Sequence, residues 1–239
     1  MLVLTEEEFF LQSIMAKNDV AITDIQLRKL TEYKIELLNW NKKINLISRK
    51  DEAAIFRTHI LLSLSVLSKF SFLEGMHILD LGTGGGLPGI PLAILTPRAH
   101  FTLLDSIGKK ITAVSEIVKR LGLLNVKAVC GRAEELGGRE SYKHSFDAVI
   151  VRSVSNLKTV VTWALPFLTS AGHRVELNLE RRTDLNSPAI LCWKGGEIMR
   201  EVVDAKSLYP EILVSVIDLF PTDTDLTGLV EKKLLIVQQ

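Results

Sequence analysis

Hydrophobic residues in positions 1–70 recur every three or four residues, the spacing at which side chains share one face of an α-helix. One such stripe is Leu30, Tyr33, Leu37, Trp40 and Ile44, and a later one is Phe56, Ile60, Leu64 and Leu67. Capping-box pairs open three periodic segments: Thr5 with Glu8, Thr23 with Gln26, and Ser48 with Asp51. The pattern therefore predicts that residues 1–70 form a helical segment. Its apolar stripes must pack against a surface elsewhere in the chain.

The pattern changes at Met76 to short apolar runs that alternate with helical stretches. The runs predict four strands: His77 to Leu81, Ala99 to Leu104, Val126 to Cys130, and Phe146 to Arg152. Helices are predicted from about Pro88, over Lys109 to Leu121, and over Thr159 to Leu168. Strands that alternate with helices indicate an α/β fold with a parallel sheet and right-handed crossovers.

Two further apolar runs lie near the end of the chain, from Ile212 to Leu219 and from Lys233 to Val237. The loop between them is polar and contains Pro221 and Gly228, a composition that permits the chain to turn back on itself. We therefore expect these two runs to pair as antiparallel strands at one edge of the sheet.

Composition and charge narrow the classes of protein to consider. A chain of 239 residues that is 47% hydrophobic and 24% charged can bury a sizeable core, which argues against a disordered protein. The net charge is +1, so any binding to nucleic acid must rest on local basic patches. Two cysteines, Cys130 and Cys192, are too few for a zinc cluster or a disulfide framework and are typical of a reducing compartment. We interpret Cys130 as a core residue and expect no metal.

The opening residues lack the features of a signal peptide, and no apolar window approaches the length of a membrane span, about 18 residues. We therefore expect a soluble cytoplasmic protein.

A glycine-rich loop, running from Asp80 to Gly89 as DLGTGGGLPG, follows the first predicted strand. Glycines permit a sharp turn and close approach of a ligand, and the next helix presents its N-terminus to that ligand.

Both dinucleotide sites and S-adenosylmethionine sites use such a loop. The dinucleotide spacing G-x-G-x-x-G is met by Gly84, Gly86 and Gly89, whereas Asp80 could serve the cationic amino-acid end of S-adenosylmethionine. Asp105 ends the second strand, where a carboxylate can bind ribose hydroxyls in either case, and Arg132-Ala133-Glu134 follows the third strand, where adenine would lie. The residues favour a methyltransferase over a nicotinamide-dependent dehydrogenase but leave both open.

Six motifs resemble the bacterial small-subunit rRNA guanine-N7 methyltransferases, also called the glucose-inhibited division protein B family. They are NLIS from Asn45, HIL from His59, LDLGTGGGLPGIPLAI from Leu79, FTLLDSIGKK from Phe101, GRAEEL from Gly131 and FDAVIVRSVSNL from Phe146. The resemblance implies a Rossmann-like methyltransferase domain over residues 71–239 behind the helical segment 1–70. It also implies methyl transfer from S-adenosylmethionine to N7 of a guanine in a loop of 16S rRNA near the decoding site.

The resemblance further implies which residues bind the cofactor: Gly82, Gly84, Leu87, Asp105, Ser106, Ile107, Ala133, Glu134 and Arg152. It weakens after Leu168, where the additional stretch 173–190 separates the match from Lys194-Gly195; this stretch could be a surface loop or an RNA contact. Between Arg28 and His59, eight basic residues stand against four acidic ones, a local excess suited to phosphate. We predict RNA contacts at Arg49, His59, Lys109, Lys110, Arg132 and Lys194.

The chemistry implied by the resemblance explains why no catalytic triad is visible. Guanine N7 carries a lone pair and no proton, so methylation is an in-line displacement that needs positioning and no general base. Because the deep groove of A-form RNA hides N7, the target base must lie in a loop and be splayed into the pocket. We expect a monomer that acts on 16S rRNA or the small subunit. The alternatives are a methyltransferase for a small molecule or protein, and a non-catalytic nucleotide-binding module.

Overall fold

The computed structural model describes residues 4–170, 183–185, 188–219 and 232–239. Within them, seven strands form one mixed sheet: β2 (His77–Leu81), β3 (His100–Asp105), β4 (Val126–Cys130), β5 (Ala148–Arg152), β7 (Ala189–Lys194), β8 (Leu213–Asp218) and β9 (Lys233–Gln238). Their order in the sheet is β4-β3-β2-β5-β7-β9-β8. The first five run parallel, as the alternating pattern predicted. A separate two-stranded parallel sheet joins β1 (Phe70–Ser71) to β6 (Thr183–Asp184).

The antiparallel C-terminal edge is also confirmed. Strand β9 pairs antiparallel with β8, with Leu213 opposite Gln238, and inserts between β8 and β7, with Ile190 opposite Val237. The predicted loop that contains Pro221 and Gly228 lies outside the described residues, as does most of the additional stretch 173–190. None of the described helices combines the length and the apolar composition needed to cross a lipid bilayer.

Helices cover both faces of the sheet. They are α1 (Glu6–Lys17), α2 (Asp24–Asn41), α3 (Leu62–Leu64), α4 (Gly89–Leu95), α5 (Gly108–Arg120), α6 (Ala133–Leu136), α7 (Leu157–Ala164) and α8 (Ile198–Leu208). Adjacent residues of β2 point into different cores: Ile78 packs with the side chains of α1, α2 and α4, and Leu79 packs with those of α7 and α8. A parallel strand that is covered on both faces is expected to be largely apolar, as Ile78, Leu79 and Leu81 of β2 are, and Asp80 is the buried polar exception in this strand.

The N-terminal segment shares its core with the sheet. Leu30, Tyr33 and Leu37 of α2 are fully buried in the cluster that also contains Leu92 and Phe101. The capping boxes at Thr5 and Thr23 are both present. The stripes predicted from the sequence therefore find their partner surface on the α4 and α5 side of the sheet.

The third predicted capping box is wrong. Ser48 accepts a hydrogen bond from the amide of Lys50, at 3.3 Å, and the Asp51 side chain turns instead toward His59. The chain here forms a 3-10 helix (Arg49–Ala54), a π-helix (Phe56–Leu61), α3 and a second 3-10 helix (Ser65–Ser68). A further 3-10 helix covers Leu165–Phe167. The prediction of Cys130 as a core residue is also wrong, because β4 is an edge strand and leaves this side chain exposed.

Candidate active site

The glycine loop between β2 and α4 takes a conformation that favours glycine. Gly82, Gly84 and Gly86 have φ angles of 77°, 59° and 91°, in the left-handed region that side chains disfavour. The amides of Gly82 and Thr83 both donate to the carbonyl of Leu104 in the neighbouring strand, at 2.8 and 2.9 Å. A Cβ atom added to Gly82 would come within 2.5 Å of Val154 Cγ2. The loop is therefore held tightly against the ends of β3 and β5.

Asp80 braces the loop from inside the protein. Its fully buried carboxylate accepts hydrogen bonds at Oδ2 from the hydroxyl of Thr83, at 2.7 Å, and from the amide of Gly89, at 2.9 Å. Its Oδ1 has no partner among the described residues. Burial raises the pKa of Asp80 to about 6, although the two hydrogen bonds and the charge of Arg152 act to lower it. The Asp80 side chain thus joins the loop to α4, but its ionised form is destabilised because the charge is buried away from water.

A first cavity of about 280 Å³ opens beside the loop, at the ends of β3 and β4. Asp105 lies in its wall, where its carboxylate accepts from the amides of Gly84, at 3.0 Å, and of Ile107, at 2.9 Å. Lys110 Nζ is 3.9 Å from Asp105 Oδ2. The same cavity is lined by Ser106, Gly131, Arg132, Ala133, Glu134 and Trp163. Most residues predicted for the ribose and adenine side therefore meet here; Ile107 contributes its amide to Asp105 and is not part of the lining.

A second cavity of about 440 Å³ adjoins the first and shares Gly82, Lys110 and Ser153 with it. Its lining combines the loop with residues of the N-terminal segment: Thr83, Gly84, Gly85, Leu87, Arg152 and Lys232, together with Leu46, Ile47, Asp51, Thr58, His59 and Leu62. The two cavities form one crevice at the carboxyl ends of the parallel strands. This is where open α/β sheets bind their ligands.

Two residues of α2 hold the N-terminal wall of the crevice. The buried hydroxyl of Tyr33 donates to the carbonyl of Gly85, at 2.9 Å. Asn41 Oδ1 accepts from the amides of Leu46 and Ile47, at 2.8 and 3.0 Å, so the chain between α2 and the 3-10 helix is fixed against the loop. The sequence pattern places Tyr33 in a helix stripe and indicates no role for Asn41, because the partners of both residues are set by tertiary contacts.

Arg152, His59 and Asp51 are three of the five charged or titratable residues that line the second cavity. The guanidinium of Arg152 has no hydrogen-bond partner in the described part of the chain, and burial lowers its pKa. His59 Nε2 is 3.2 Å from Asp51 Oδ2 but is not aligned for a hydrogen bond, and the His59 side chain is 14% exposed. Burial, and then the charge of Arg152, lowers the pKa of His59 to about 4 against the opposing effect of Asp51. His59 is therefore neutral at pH 7.

The residues predicted to contact RNA are not gathered at one place. Lys110 lines both cavities and Arg132 lines the first, whereas Arg49 and Lys109 are exposed at the starts of their helices. Lys194 Nζ lies 2.8 Å from Glu201 Oε2 and also donates to the carbonyl of Ser155, with its side chain 13% exposed. Lys194 is thus engaged within the protein, and among the other five Lys110 and His59 also lie beside a carboxylate, that of Asp105 and that of Asp51.

Most of the crevice lies in a part of the chain that matches a known protein family. The family model of rRNA small subunit methyltransferase G matches residues 26–194, which include β2 to β7 and most of the second cavity. The chain belongs to this family. A ribosomal RNA small subunit methyltransferase G from Chlorobium luteolum is 36% identical over 98% of this chain and 90% of its own length. One from Christiangramia forsetii is 39% identical over 81% of this chain and 84% of its own.

Solved structures agree on the fold. An O-methyltransferase from Bacillus cereus, determined in complex with SAH, covers 98% of this chain and 100% of its own, with a TM-score of 0.55 and 15% identity. A SAM-dependent methyltransferase from Aquifex aeolicus covers 84% of this chain and 96% of its own, with a TM-score of 0.52 and 15% identity. At such identities the likeness concerns the Rossmann-like fold, and the small subunit methyltransferase G family supplies the functional context.

Proposed function

We propose that the protein transfers a methyl group from S-adenosylmethionine to N7 of a guanine in a loop of 16S rRNA near the decoding site. The observation that carries the proposal is the crevice whose two cavities join at Gly82, in a chain that belongs to the rRNA small subunit methyltransferase G family. One cavity suits a nucleoside and the other is large enough to bring a second group to the same point.

The first cavity fits the adenosine part of the cofactor. Each carboxylate oxygen of Asp105 accepts one backbone amide and retains a lone pair for a ribose hydroxyl. Ser106, Ala133 and Glu134 would flank the adenine, next to Gly131 and Arg132, which follow β4. The carboxyl end of β3 is where such folds place a ribose-binding acid.

The loop and Arg152 would hold the methionine part. Gly82, Gly84 and Leu87 line the second cavity without polar side chains, which leaves room for a ligand to approach the backbone. The guanidinium of Arg152, unpartnered among the described residues, is suited to the cofactor's carboxylate because it donates two parallel hydrogen bonds. Bound there, S-adenosylmethionine supplies an electrophilic methyl group on a sulfonium.

The acceptor chemistry makes few demands on the protein. N7 of guanine carries no proton, so no side chain has to remove one, and the neutral His59 need not act as a base. The protein has to orient the base and exclude water, tasks that the apolar side chains of Leu46, Ile47 and Leu62 can perform.

The proposal extends to partners and organisation. The exposed cations Arg49, Lys109 and Arg132 would contact phosphates of 16S rRNA or of the small subunit, and Lys194 is left out because its ammonium is already paired. The protein would act as a cytoplasmic monomer, with residues 71–239 as the methyltransferase domain and residues 1–70 as the segment that completes the crevice.

A methyl-transfer assay tests the proposal. Labelled S-adenosylmethionine would be incubated with small subunits and with rRNA from a strain that lacks the gene, and the product mapped by mass spectrometry. A single N7-methylguanine in a loop of 16S rRNA is expected. Methylation of another atom or base would refute the N7 assignment, and transfer only to a small molecule or protein would refute the RNA substrate.

Replacing Asp105 by alanine tests the cofactor site separately. Loss of the acceptor should weaken S-adenosylmethionine binding by about tenfold or more, because hydrogen bonds to a charged group are among the stronger ones. Calorimetry measures the affinity, and Asp204→Ala, on the exposed side of α8, is the matched control. Equal affinities for the wild type and Asp105→Ala would contradict the placement of the ribose.

A further inference from the structure

We propose that Asp51 recognises the Watson–Crick edge of the target guanine and so determines which base is methylated. The proposal rests on the proposed function and deepens it, because it assigns the choice of guanine to one side chain of the N-terminal segment. Asp51 lines the second cavity together with the glycine loop, so a base bound there would lie beside the carboxylate and the loop at once.

The apolar part of the cavity lining suits a planar base. Three apolar side chains contributed by the N-terminal segment, Leu46, Ile47 and Leu62, line it, and Leu87 lines it from the loop. Apolar walls pack against the faces of an aromatic ring and leave recognition to the groups that meet its edges. The cavity meets the first one at Gly82, Lys110 and Ser153, where the reacting atoms would come together.

The hydrogen-bonding capacity of Asp51 matches guanine and opposes adenine. A carboxylate only accepts hydrogen bonds, and its two oxygens can take two parallel donors. Guanine presents N1–H and the exocyclic amino group side by side on its Watson–Crick edge, whereas adenine presents an acceptor at N1 that the carboxylate would repel. Binding this edge to Asp51 leaves N7, on the other side of the purine, free to face the cofactor.

The surroundings of Asp51 keep its charge available. His59 lies beside it, and the ring nitrogens of His59 have no hydrogen-bond partner in the described part of the chain; the guanidinium of Arg152, which lines the same cavity, interacts with Asp51 through its charge. Because burial and Arg152 lower the pKa of His59 to about 4, the imidazole is neutral at pH 7 and does not neutralise the carboxylate. With a side chain 36% exposed, Asp51 is also accessible to a ligand entering the cavity.

The charge also matches the reaction. Methylation converts a neutral guanine into a cationic N7-methylguanine, and the positive charge spreads over the purine ring. A fixed carboxylate on the edge of that ring interacts more favourably with the methylated, cationic base than with the neutral one, so it stabilises charge that develops in the transition state. Asp51 would therefore contribute to kcat as well as to base selection.

Inosine provides a direct test, since it keeps N7, O6 and N1–H but lacks the exocyclic amino group. The substrate would be 16S rRNA with either guanine or inosine at the mapped position, joined by ligation of a synthetic segment. For the wild type, kcat/KM should fall by about tenfold with inosine, the loss of one hydrogen bond to a charged group. For Asp51→Asn, activity on guanine should fall by roughly 10- to 100-fold, and the guanine-to-inosine ratio should shrink toward one.

The guanine-to-inosine ratio of kcat/KM distinguishes base recognition by Asp51 from a purely structural role of this residue. If Asp51 only supported the fold of the 3-10 helix, Asp51→Asn would slow both substrates equally and leave the ratio unchanged, which would overturn the inference. A wild-type ratio near one would overturn it as well. Affinity for S-adenosylmethionine should be the same in both proteins, and Glu32→Gln, on the exposed side of α2, controls for loss of one acid.

Failure of the proposed function would be recognised independently. If the wild-type protein methylates no position of the guanine substrate, or methylates an atom other than N7, the proposed function fails and the inference fails with it. If the wild type forms N7-methylguanine but its guanine-to-inosine ratio does not depend on Asp51, the proposed function stands and the inference alone is refuted.

Discussion

Replacing Asp80 by asparagine tests whether the carboxylate under the glycine loop is ionised at the expense of folding stability. Burial raises its pKa from the ordinary value of 3.8 to about 6. A carboxyl group whose pKa is higher in the folded than in the unfolded state binds its proton more tightly when folded. Its stabilising contribution is complete below the unfolded-state pKa and is lost as the pH rises through the folded-state value.

The magnitude follows from the shift. The difference between 3.8 and about 6 corresponds to about 3 kcal/mol of unfolding free energy once the group is fully ionised, at about 1.4 kcal/mol per pKa unit. About 2 kcal/mol of this loss falls between roughly pH 4.5 and 7.5. Asparagine does not titrate, and its oxygen can still accept from Thr83 and Gly89. Its amide nitrogen would occupy the site of the unpartnered Oδ1, a cost that does not change with pH.

Urea denaturation of both proteins across this pH range provides the measurement. The free energy of unfolding of Asp80→Asn relative to the wild type should rise by about 2 kcal/mol as the pH increases. His59 titrates in both proteins, so its contribution cancels in the difference. Asp204→Asn, on the exposed side of α8, controls for the loss of a carboxylate. A difference that stays constant, or that falls as the pH rises, would refute the view that burial dominates the Asp80 environment.

Three further predictions concern the walls of the crevice and an exposed lysine proposed to contact RNA. Gly82→Ala should weaken S-adenosylmethionine binding more than Gly84→Ala in calorimetry, because both have positive φ but only Gly82 has a side chain within 4 Å of the added Cβ. Asn41→Ala should lower the free energy of unfolding by about 1–3 kcal/mol and raise KM for RNA, since two backbone amides lose their acceptor. An unchanged KM would show that the wall held by Asn41 does not take part in RNA binding. Lys109→Ala should reduce the salt dependence of RNA binding by about one unit of slope while cofactor affinity is retained; an unchanged slope would move the RNA surface elsewhere.

The sheet could be predicted from the sequence because its central strands are apolar on both faces. The predicted bounds of β2 and β4 agree with the structure, and β3 differs by one residue at each end. Strand β5 begins two residues later than predicted, since Phe146 forms only an isolated bridge to Leu168. Short apolar runs between glycine and polar turns carry this information locally, so no knowledge of tertiary contacts is required.

Features that depend on neighbours distant in the sequence were missed or misjudged. Helix α8 was not predicted, although its buried residues Val202 and Ala205 stand three positions apart, a helical spacing that the sequence does contain. Cys130 lies in a correctly predicted strand but is exposed, since the local pattern does not reveal that β4 is at the edge of the sheet. The contact between Tyr33 and Gly85 joins residues 52 positions apart and leaves no local signal.

The two walls of the crevice are stabilised in different ways, and this difference bears on how the family can vary. The cofactor side depends on backbone conformation at Gly82 and on the buried Asp80, so substitutions there disturb the sheet itself. The 3-10 helix that carries Asp51 has no buried side chain and is joined to α2 through the hydrogen bond from Asn41 Nδ2 to Glu52 Oε1, at 2.6 Å. Polar contacts of this kind can be changed without removing core volume. The segment that we propose to recognise the base is thus the part of the site that can be altered with the least cost to the fold.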